Sequence, residues 1–214
     1  MSPAFPGANA PSLSHDDLMR LPIRQYEGEV VVVRQAQEVA PALARLTGEA
    51  ILGFDTETRP AFRRGEKHPP ALVQLAGAGC VVLFQVRHVG VPPPLVALLS
   101  APAPVKAGVA VRDDLLALQE MAPFGPAGFV DLGDVARRAG LRVHGLRNLA
   151  AALLGFRVSK SAQTSNWGRP ELEPRQIRYA ATDAWVSREL CVRFADAGLL
   201  PALGGGATTA RNGV

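Results

Sequence analysis

A short apolar segment that ends in two carboxylates constrains the fold of this chain more than any other feature. Residues 51–54 are apolar and predict a buried strand, and Asp55 and Glu57 follow directly. Because side chains two positions apart on a strand point to the same face, these carboxylates are expected to project side by side. Adjacent carboxylates repel each other unless a cation lies between them, which favours a divalent metal site. The D-x-E triplet alone is equally compatible with the start of a solvated loop.

A third carboxylate lies in the longest predicted helix, from Arg175 to about Ala197. Tyr179, Asp183 and Val186 follow one another at helical spacing, so they share a face that is apolar except for Asp183. A buried carboxylate must be neutralised by a cation, receive hydrogen bonds or be protonated. In one interpretation Tyr179 donates that hydrogen bond and the pair is structural. In the other, Asp183 and Tyr179 complete the site that begins at Asp55.

The remaining pattern predicts an α/β domain. Strands are predicted at 29–33, 51–57, 71–76, 80–84, 105–109 and 128–131, and the third and fourth form a hairpin around a Gly-containing turn. Helices are predicted at 35–46, 95–99, 111–121, 134–139, 146–154 and 175–197. Residues 1–28 are expected to form an extended or partly disordered lead-in, residues 29–200 one globular domain, and residues 201–214 a disordered tail.

Composition excludes several classes of protein. No apolar run approaches the roughly 20 residues that a membrane span needs, so we expect no membrane insertion. Cys80 and Cys191 lack C-x-x-C spacing, which argues against a zinc site or a disulfide framework and favours a cytoplasmic location. A net charge of +4 is compatible with a polyanionic partner without requiring one.

The loop that follows the carboxylate pair is basic. Residues 58–70 contain Arg59, Arg63, Arg64 and Lys67 and show no regular periodicity. Such a run is commonly a solvated surface loop. Beside an acidic metal site, however, it is better explained as a contact to a phosphate backbone.

Three motifs in order resemble the DEDDy class of 3′–5′ exonucleases, the ribonuclease D and Werner-syndrome exonuclease family. They are the D-x-E at the end of a strand, an Asp in the helix after the G-V-x-V segment 108–111, and the Y-x-x-x-D of the last helix. The segment 146–184 is similar to that family over its whole length, except that Glu173 stands where the family often has Ser or Thr. The resemblance implies an α/β fold, a ribonuclease H-like mixed five-stranded sheet flanked by helices, formed by the strands from residue 51 onward.

The resemblance also implies chemistry for these residues. Two divalent ions would activate a water molecule and stabilise the leaving 3′ oxygen. Asp55 would bridge both ions, Glu57 and Asp183 would complete the first ion, and Asp114 would support the second. Tyr179 would orient the attacking water. Oxygen-only ligands favour Mg²⁺ or Mn²⁺ over Zn²⁺. The implied partner is a nucleic acid, DNA or RNA, with a free 3′ end, from which nucleoside 5′-monophosphates are released.

The helix 111–121 itself distinguishes Asp114 from its neighbour Asp113. Its apolar stripe includes Val111, Leu115 and Leu118, and Asp114 lies beside that stripe. Asp113 is rotated by roughly 100°, the advance of one residue at 3.6 residues per turn, and is expected to face solvent. Asp114 is therefore predicted to be the metal-site residue.

The matched loop before the last helix offers candidate substrate contacts. Lys160 and Arg169 could bind phosphate, and Trp167 could either stack on a base or anchor its loop in the core. Two other classes of function remain open: a nucleic-acid-binding module with an inactive site, and a metal-dependent phosphohydrolase of small nucleotides. The presence of all four carboxylates and the tyrosine favours the exonuclease.

Overall fold

The computed structural model describes residues 14–61 and 66–200, and these form a mixed sheet with helices on both faces. The six strands are β1 (Glu29–Val33), β2 (Ile51–Thr58), β3 (Pro70–Ala76), β4 (Cys80–Phe84), β5 (Val105–Gly108) and β6 (Phe129–Asp131). Their order in the sheet is β1-β4-β3-β2-β5-β6. The pairs β2–β3 and β3–β4 are antiparallel, whereas β1–β4, β2–β5 and β5–β6 are parallel.

The helices are α1 (His15–Arg20), α2 (Val39–Ala44), α3 (Val86–Val89), α4 (Pro93–Ser100), α5 (Val111–Met121), α6 (Leu132–Arg138), α7 (Leu146–Leu149) and α8 (Pro174–Asp196). A 3₁₀ turn, Ala36–Glu38, precedes α2, and a π turn, Ala150–Leu154, extends α7. No described helix is both long enough and apolar enough to cross a membrane.

The predicted α/β class is confirmed, but the count of five strands is wrong. β1 was predicted as a strand, and the structure adds it to the sheet as a sixth member, parallel to β4 from Glu29↔Cys80 to Val33↔Phe84. The valines of β1 can bury their side chains only against a neighbouring strand and the helices that cover it. β1 therefore pairs at the edge of the sheet, a position that the implied five-stranded sheet did not include.

Part of the predicted lead-in is also more ordered than expected. Residues 15–20 form α1, whose first turn is capped by Ser14. The segment 21–28 then runs along the domain, where Arg24 N donates to Arg157 O at 2.9 Å and Arg157 N donates to Pro22 O at 2.8 Å. We call this segment the strap. The first 13 residues, 62–65 and the predicted tail 201–214 lie outside the described residues.

Alternation along β2 decides what each face of the sheet carries. Leu52 and Phe54 belong to the core cluster beneath α2, α4 and α5. Gly53 faces the opposite way, toward α8, and a Cβ built on it would lie 1.8 Å from the carbonyl oxygen of Ala184. Only the missing side chain lets α8 lie this close to β2, because any larger residue would push the two backbones apart. The next residues on the Gly53 face are Asp55 and Glu57.

The start of α8 is fixed by its cap and by the loop before it. Pro174 occupies the first turn, where its missing N–H removes no helical hydrogen bond. Glu173 N donates to Gln176 Oε1 at 3.0 Å, so Gln176 supplies one half of the cap. Gln176 Nε2 also donates to Ser165 Oγ at 3.0 Å, which ties the helix to the loop. Gln176 thus caps the start of α8 and holds it against the preceding loop.

Candidate active site

Three carboxylates converge where the end of β2 meets the middle of α8. Oxygens of Asp55, Glu57 and Asp183 all lie within 4.8 Å of one another. Asp55 and Glu57 share the face of β2 that Gly53 opens to α8, and Asp183 lies on the turn of α8 above them. The structure therefore brings together the two carboxylate motifs that the strand and helix periods place on facing surfaces.

Burial and mutual repulsion disfavour the charged forms of these carboxylates. Burial, followed by Asp183 and Asp114, raises the pKa of Asp55 well above its ordinary value. Burial and then Asp55 raise the pKa of Glu57 to about 10. Burial raises the pKa of Asp183 to about 6, although the Tyr179 hydroxyl and Arg147 oppose that rise. The carboxylates can all ionise at neutral pH only if cationic charge is added between them.

The donor set fits a divalent cation. Oδ1 of Asp183 is buried and has no hydrogen-bond partner among the described residues, so one ligand oxygen is unused by the protein. The clustered groups are all carboxylates, the ligands that hard cations prefer. These are the properties expected of a site for a hard divalent ion rather than for a soft metal.

Asp114 approaches the same strand end from the other face of the sheet. Thr56, whose side chain points away from Asp55, donates from Oγ1 to Asp114 Oδ1 at 2.6 Å. Burial raises the pKa of Asp114 to about 6. The predicted orientation of α5 is confirmed, because Asp114 contacts β2 and Asp113 is exposed. Asp114 lies outside the three-carboxylate cluster, and its role at a metal stays a prediction.

Tyr179 is held between Asp183 and an arginine to which the sequence analysis gave no role. Arg147 Nη2 donates to the Tyr179 hydroxyl at 2.6 Å, and its guanidinium carbon lies 5.9 Å from the ring centroid. Burial and then Asp183 raise the pKa of Tyr179, so the hydroxyl keeps its proton at neutral pH. Both interpretations of Asp183 therefore apply. It pairs with Tyr179, and it also converges with Asp55. The only sequence signal for Arg147 was its place inside the matched segment 146–184.

Gln74 is a second residue that the sequence analysis missed. It lies directly opposite Asp55 in the β2–β3 pair, where opposite side chains share a face and nearly touch. It is fully buried, and neither atom of its amide group has a partner among the described residues. A glutamine within the apolar run of β3 was the available signal, because an amide in a strand interior needs a polar neighbour.

The carboxylates lie in an open cleft of about 390 Å³. Beyond the acidic residues and Tyr179 its wall is largely polar, formed by Thr56, Gly145, Arg147, Asn148, Lys160, Gln163 and Ser187. Cavities that hold small ligands are typically about 300–1,000 Å³, so the cleft can admit a nucleotide unit. Lys160 is exposed at this cleft, as a phosphate contact requires.

The other predicted substrate contacts that the structure describes do not line this cleft. Trp167 is 1% exposed and packs in the core with its ring centroid 5.9 Å from that of Tyr179, which favours the core-anchor interpretation of the two over base stacking. Arg169 is ion-paired with Glu173, which leaves its guanidinium less available to phosphate. Arg59 and Lys67 are exposed outside the cleft lining. Arg63 and Arg64 lie outside the described residues.

Comparison with known proteins agrees with this geometry. The chain is 35% identical over 141 residues to exonuclease 3′-5′ domain-containing protein 2 of Drosophila melanogaster, covering 64% of this chain and 24% of that protein. It is 30% identical over 176 residues to the mouse bifunctional 3′-5′ exonuclease/ATP-dependent helicase WRN, covering 78% of this chain and 13% of that protein. The chain therefore spans a quarter or less of the length of these relatives.

A solved structure shows the same fold. Escherichia coli RNase D superposes with a TM-score of 0.70 at 23% identity, covering 82% of this chain and 48% of that one. A sequence model of 3′-5′ exonucleases matches residues 30–197. The resemblance drawn from the motifs is thereby confirmed, and because the match covers most of the chain, this protein belongs to the 3′-5′ exonuclease family.

Proposed function

We propose that this chain is a metal-dependent 3′–5′ exonuclease that hydrolyses phosphodiester bonds from the 3′ end of a nucleic acid and releases nucleoside 5′-monophosphates. The observation that carries the proposal is the convergence of Asp55, Glu57 and Asp183 within 4.8 Å beside the Tyr179 hydroxyl. Membership of the family supports it, as does the description of E. coli RNase D as an exoribonuclease. DNA and RNA strands both present the bond on which such a site acts.

The acidic residues of the cleft would hold two divalent ions, Mg²⁺ or Mn²⁺, and Asp55 would be one of their ligands. Glu57 and Asp183 would also be ligands, and Asp114, which lies outside the cluster, would support metal binding from its place beside Thr56. When bound, the ions supply the positive charge that lets an anionic phosphate approach and a water molecule attack it. Without that charge the raised pKa values of the carboxylates favour their protonated forms, which are poor ligands.

Tyr179 and Arg147 would position the attacking water. The raised pKa of Tyr179 makes it a poor general base at neutral pH, so its hydroxyl acts through hydrogen bonds. Arg147 donates to that hydroxyl and fixes its direction in the cleft. Lys160 lies at the same cleft and can pair with a phosphate oxygen as the 3′ nucleotide enters.

The test uses a panel of DNA and RNA oligonucleotides labelled at the 3′ or the 5′ end, incubated with Mg²⁺, Mn²⁺ or EDTA. We expect mononucleotides to be released from the 3′ label in the presence of metal, and no release in EDTA or from Asp55→Ala. Asp113→Ala is the matched control, because it removes an exposed carboxylate of α5. Unchanged release in chelator, release only from the 5′ end, or turnover of free nucleotides alone would overturn the proposal.

A further inference from the structure

A second cleft, of about 270 Å³, shares Tyr179 with the cleft that contains the carboxylates. Its walls come from the strap, from residues 158–161 and from the first turns of α8. Three arginines line it, Arg24, Arg175 and Arg178, together with the hydroxyl-bearing Ser159, Ser161 and Thr182. No carboxylate lines it among the described residues. We call it the basic cleft, and its donors are those that bind phosphate oxygens.

The basic cleft is adjacent to the cleft that contains Asp55, Glu57 and Asp183, which we call the acidic cleft. Tyr179 lines both, so its side chain forms part of the divider between them. Residues 159–161 form the rest of the divider: Lys160 faces the acidic cleft, whereas Ser159 and Ser161 face the basic cleft. A chain of linked phosphates that leaves the carboxylates over this divider would enter the basic cleft directly.

The two segments that carry the arginines of the basic cleft, the strap and α8, are held together by the fold. The strap is fixed to α8 by Tyr26 N, which donates to Thr182 Oγ1 at 3.0 Å, and Arg24 lies over the Phe156 ring at 5.9 Å. On α8, positions 175, 178 and 182 share a face that turns away from Asp183. The cleft thus exists only because the strap docks beside the catalytic helix.

Arg175 and Arg178 differ in whether a described residue neutralises their charge. Arg175 donates to Glu173 at 2.5 Å, so part of its charge is neutralised. Arg178 is exposed, and no described residue forms a hydrogen bond or ion pair with its guanidinium. An arginine without a carboxylate, beside two serine hydroxyls in a cleft that shares Tyr179 with the acidic cleft, is available to an anionic ligand.

We propose that the basic cleft binds a phosphate of the substrate strand other than the one being hydrolysed. This inference rests on the proposed function and specifies its substrate class: a strand of linked nucleotides, each with its own phosphate, is preferred over a small ester with a single phosphodiester. The basic cleft offers arginine and hydroxyl donors, and no described carboxylate lines it, so a second phosphate bound there retains the strand at the acidic cleft. Binding there depends on ionic strength, because each contact releases counterions.

The test compares Arg178→Ala and Arg24→Ala with Arg138→Ala, an exposed arginine of α6 that lines neither cleft. Two substrates are used: a 3′-labelled single-stranded decanucleotide and thymidine 5′-(4-nitrophenyl phosphate), which carries one phosphodiester. We expect the cleft variants to lose about 10-fold or more in kcat/KM on the decanucleotide relative to the small ester, mainly through KM. Arg138→Ala should match the unsubstituted protein on both substrates.

Binding is measured separately from hydrolysis, by fluorescence anisotropy of the decanucleotide in an Asp55→Asn background at several salt concentrations. For Arg178→Ala we expect the slope of log K against log salt to become shallower by about 0.7, the value for one single-strand phosphate contact. Equal losses on both substrates, or an unchanged slope, would overturn the basic-cleft inference. Absence of 3′ release by the unsubstituted protein would instead overturn the proposed function, and the binding slopes would still test the cleft.

Discussion

Replacing Asp114 by asparagine is expected to stabilise the metal-free protein while it removes activity. The pKa of Asp114 is raised from 3.8 to about 6, mainly by burial. One pKa unit corresponds to about 1.4 kcal/mol, so the ionised carboxylate destabilises the folded state by up to about 3 kcal/mol. Asparagine has no charge to bury and its amide oxygen can still accept from Thr56. Subtracting a lost helix-dipole interaction of about 0.3–1 kcal/mol leaves a net gain of at most about 2 to 2.7 kcal/mol at pH 8.

The sign of this effect can be followed with pH. The folded-state pKa is raised, so the penalty is present above about pH 6 and disappears as pH falls to the unfolded-state value near 4. In urea unfolding with EDTA, the free energy of unfolding of Asp114→Asn should therefore exceed that of the unsubstituted protein at pH 8. At pH 4 the two values should be close. On a labelled oligonucleotide with Mg²⁺, the same variant should lose about 10²-fold or more in rate.

Asp113→Asn is the matched control for both measurements. Asp113 is exposed and adjacent in sequence, so it should change the free energy of unfolding little and leave the rate within a few-fold of the unsubstituted protein. If Asp113→Asn loses activity and Asp114→Asn does not, the helix register assigned to the site is wrong. The burial argument is refuted if Asp114→Asn does not raise the free energy of unfolding at pH 8, or if it raises it equally at pH 4 and pH 8.

Three further outcomes are expected. Tyr179→Phe should lower the single-turnover rate by about 10²–10⁴-fold while calorimetry still detects metal binding, and a normal rate would leave Tyr179 as a structural partner of Asp183 only. Arg147→Met should lower kcat with little change in KM, Arg147→Lys should recover part of the loss, and an unaltered kcat would show that the bond to Tyr179 has no role in the reaction. The raised pKa values of Asp55, Glu57 and Asp183 mean that the folded, metal-free protein binds more protons than the unfolded chain. Its unfolding midpoint should therefore rise as pH falls from 8 to 5, and Mg²⁺ should raise it more at pH 8 than at pH 5; the reverse ranking would contradict the assigned shifts.

The elements that could be predicted from sequence are those governed by a local period. A repeat of two placed Asp55 and Glu57 on one face, and a repeat of 3.6 placed Tyr179 beside Asp183 and separated Asp114 from Asp113. These relations need no knowledge of the rest of the chain. The α/β class followed in the same way, because the strand and helix patterns are distinct along the sequence.

The features that sequence could not supply depend on contacts between distant segments. The docking of the strap requires Arg157, more than 130 residues away. Arg147 gains its role only because its guanidinium reaches a hydroxyl 32 residues further on. Trp167 could be read as a stacking surface until its burial against Tyr179 was known. Each of these features depends on tertiary packing, which no local sequence period predicts.

The close approach of α8 to Gly53 also has a consequence for how the protein is made. The strand that carries Asp55 and Glu57 leaves the ribosome well over 100 residues before the end of the helix that carries Asp183. The carboxylates can meet only after that last helix docks on the centre of the sheet, a contact of large sequence separation that forms late. A nascent chain would thus hold no assembled hydrolytic centre until α8 has emerged and docked. Acquisition of metal affinity would then mark completion of the fold.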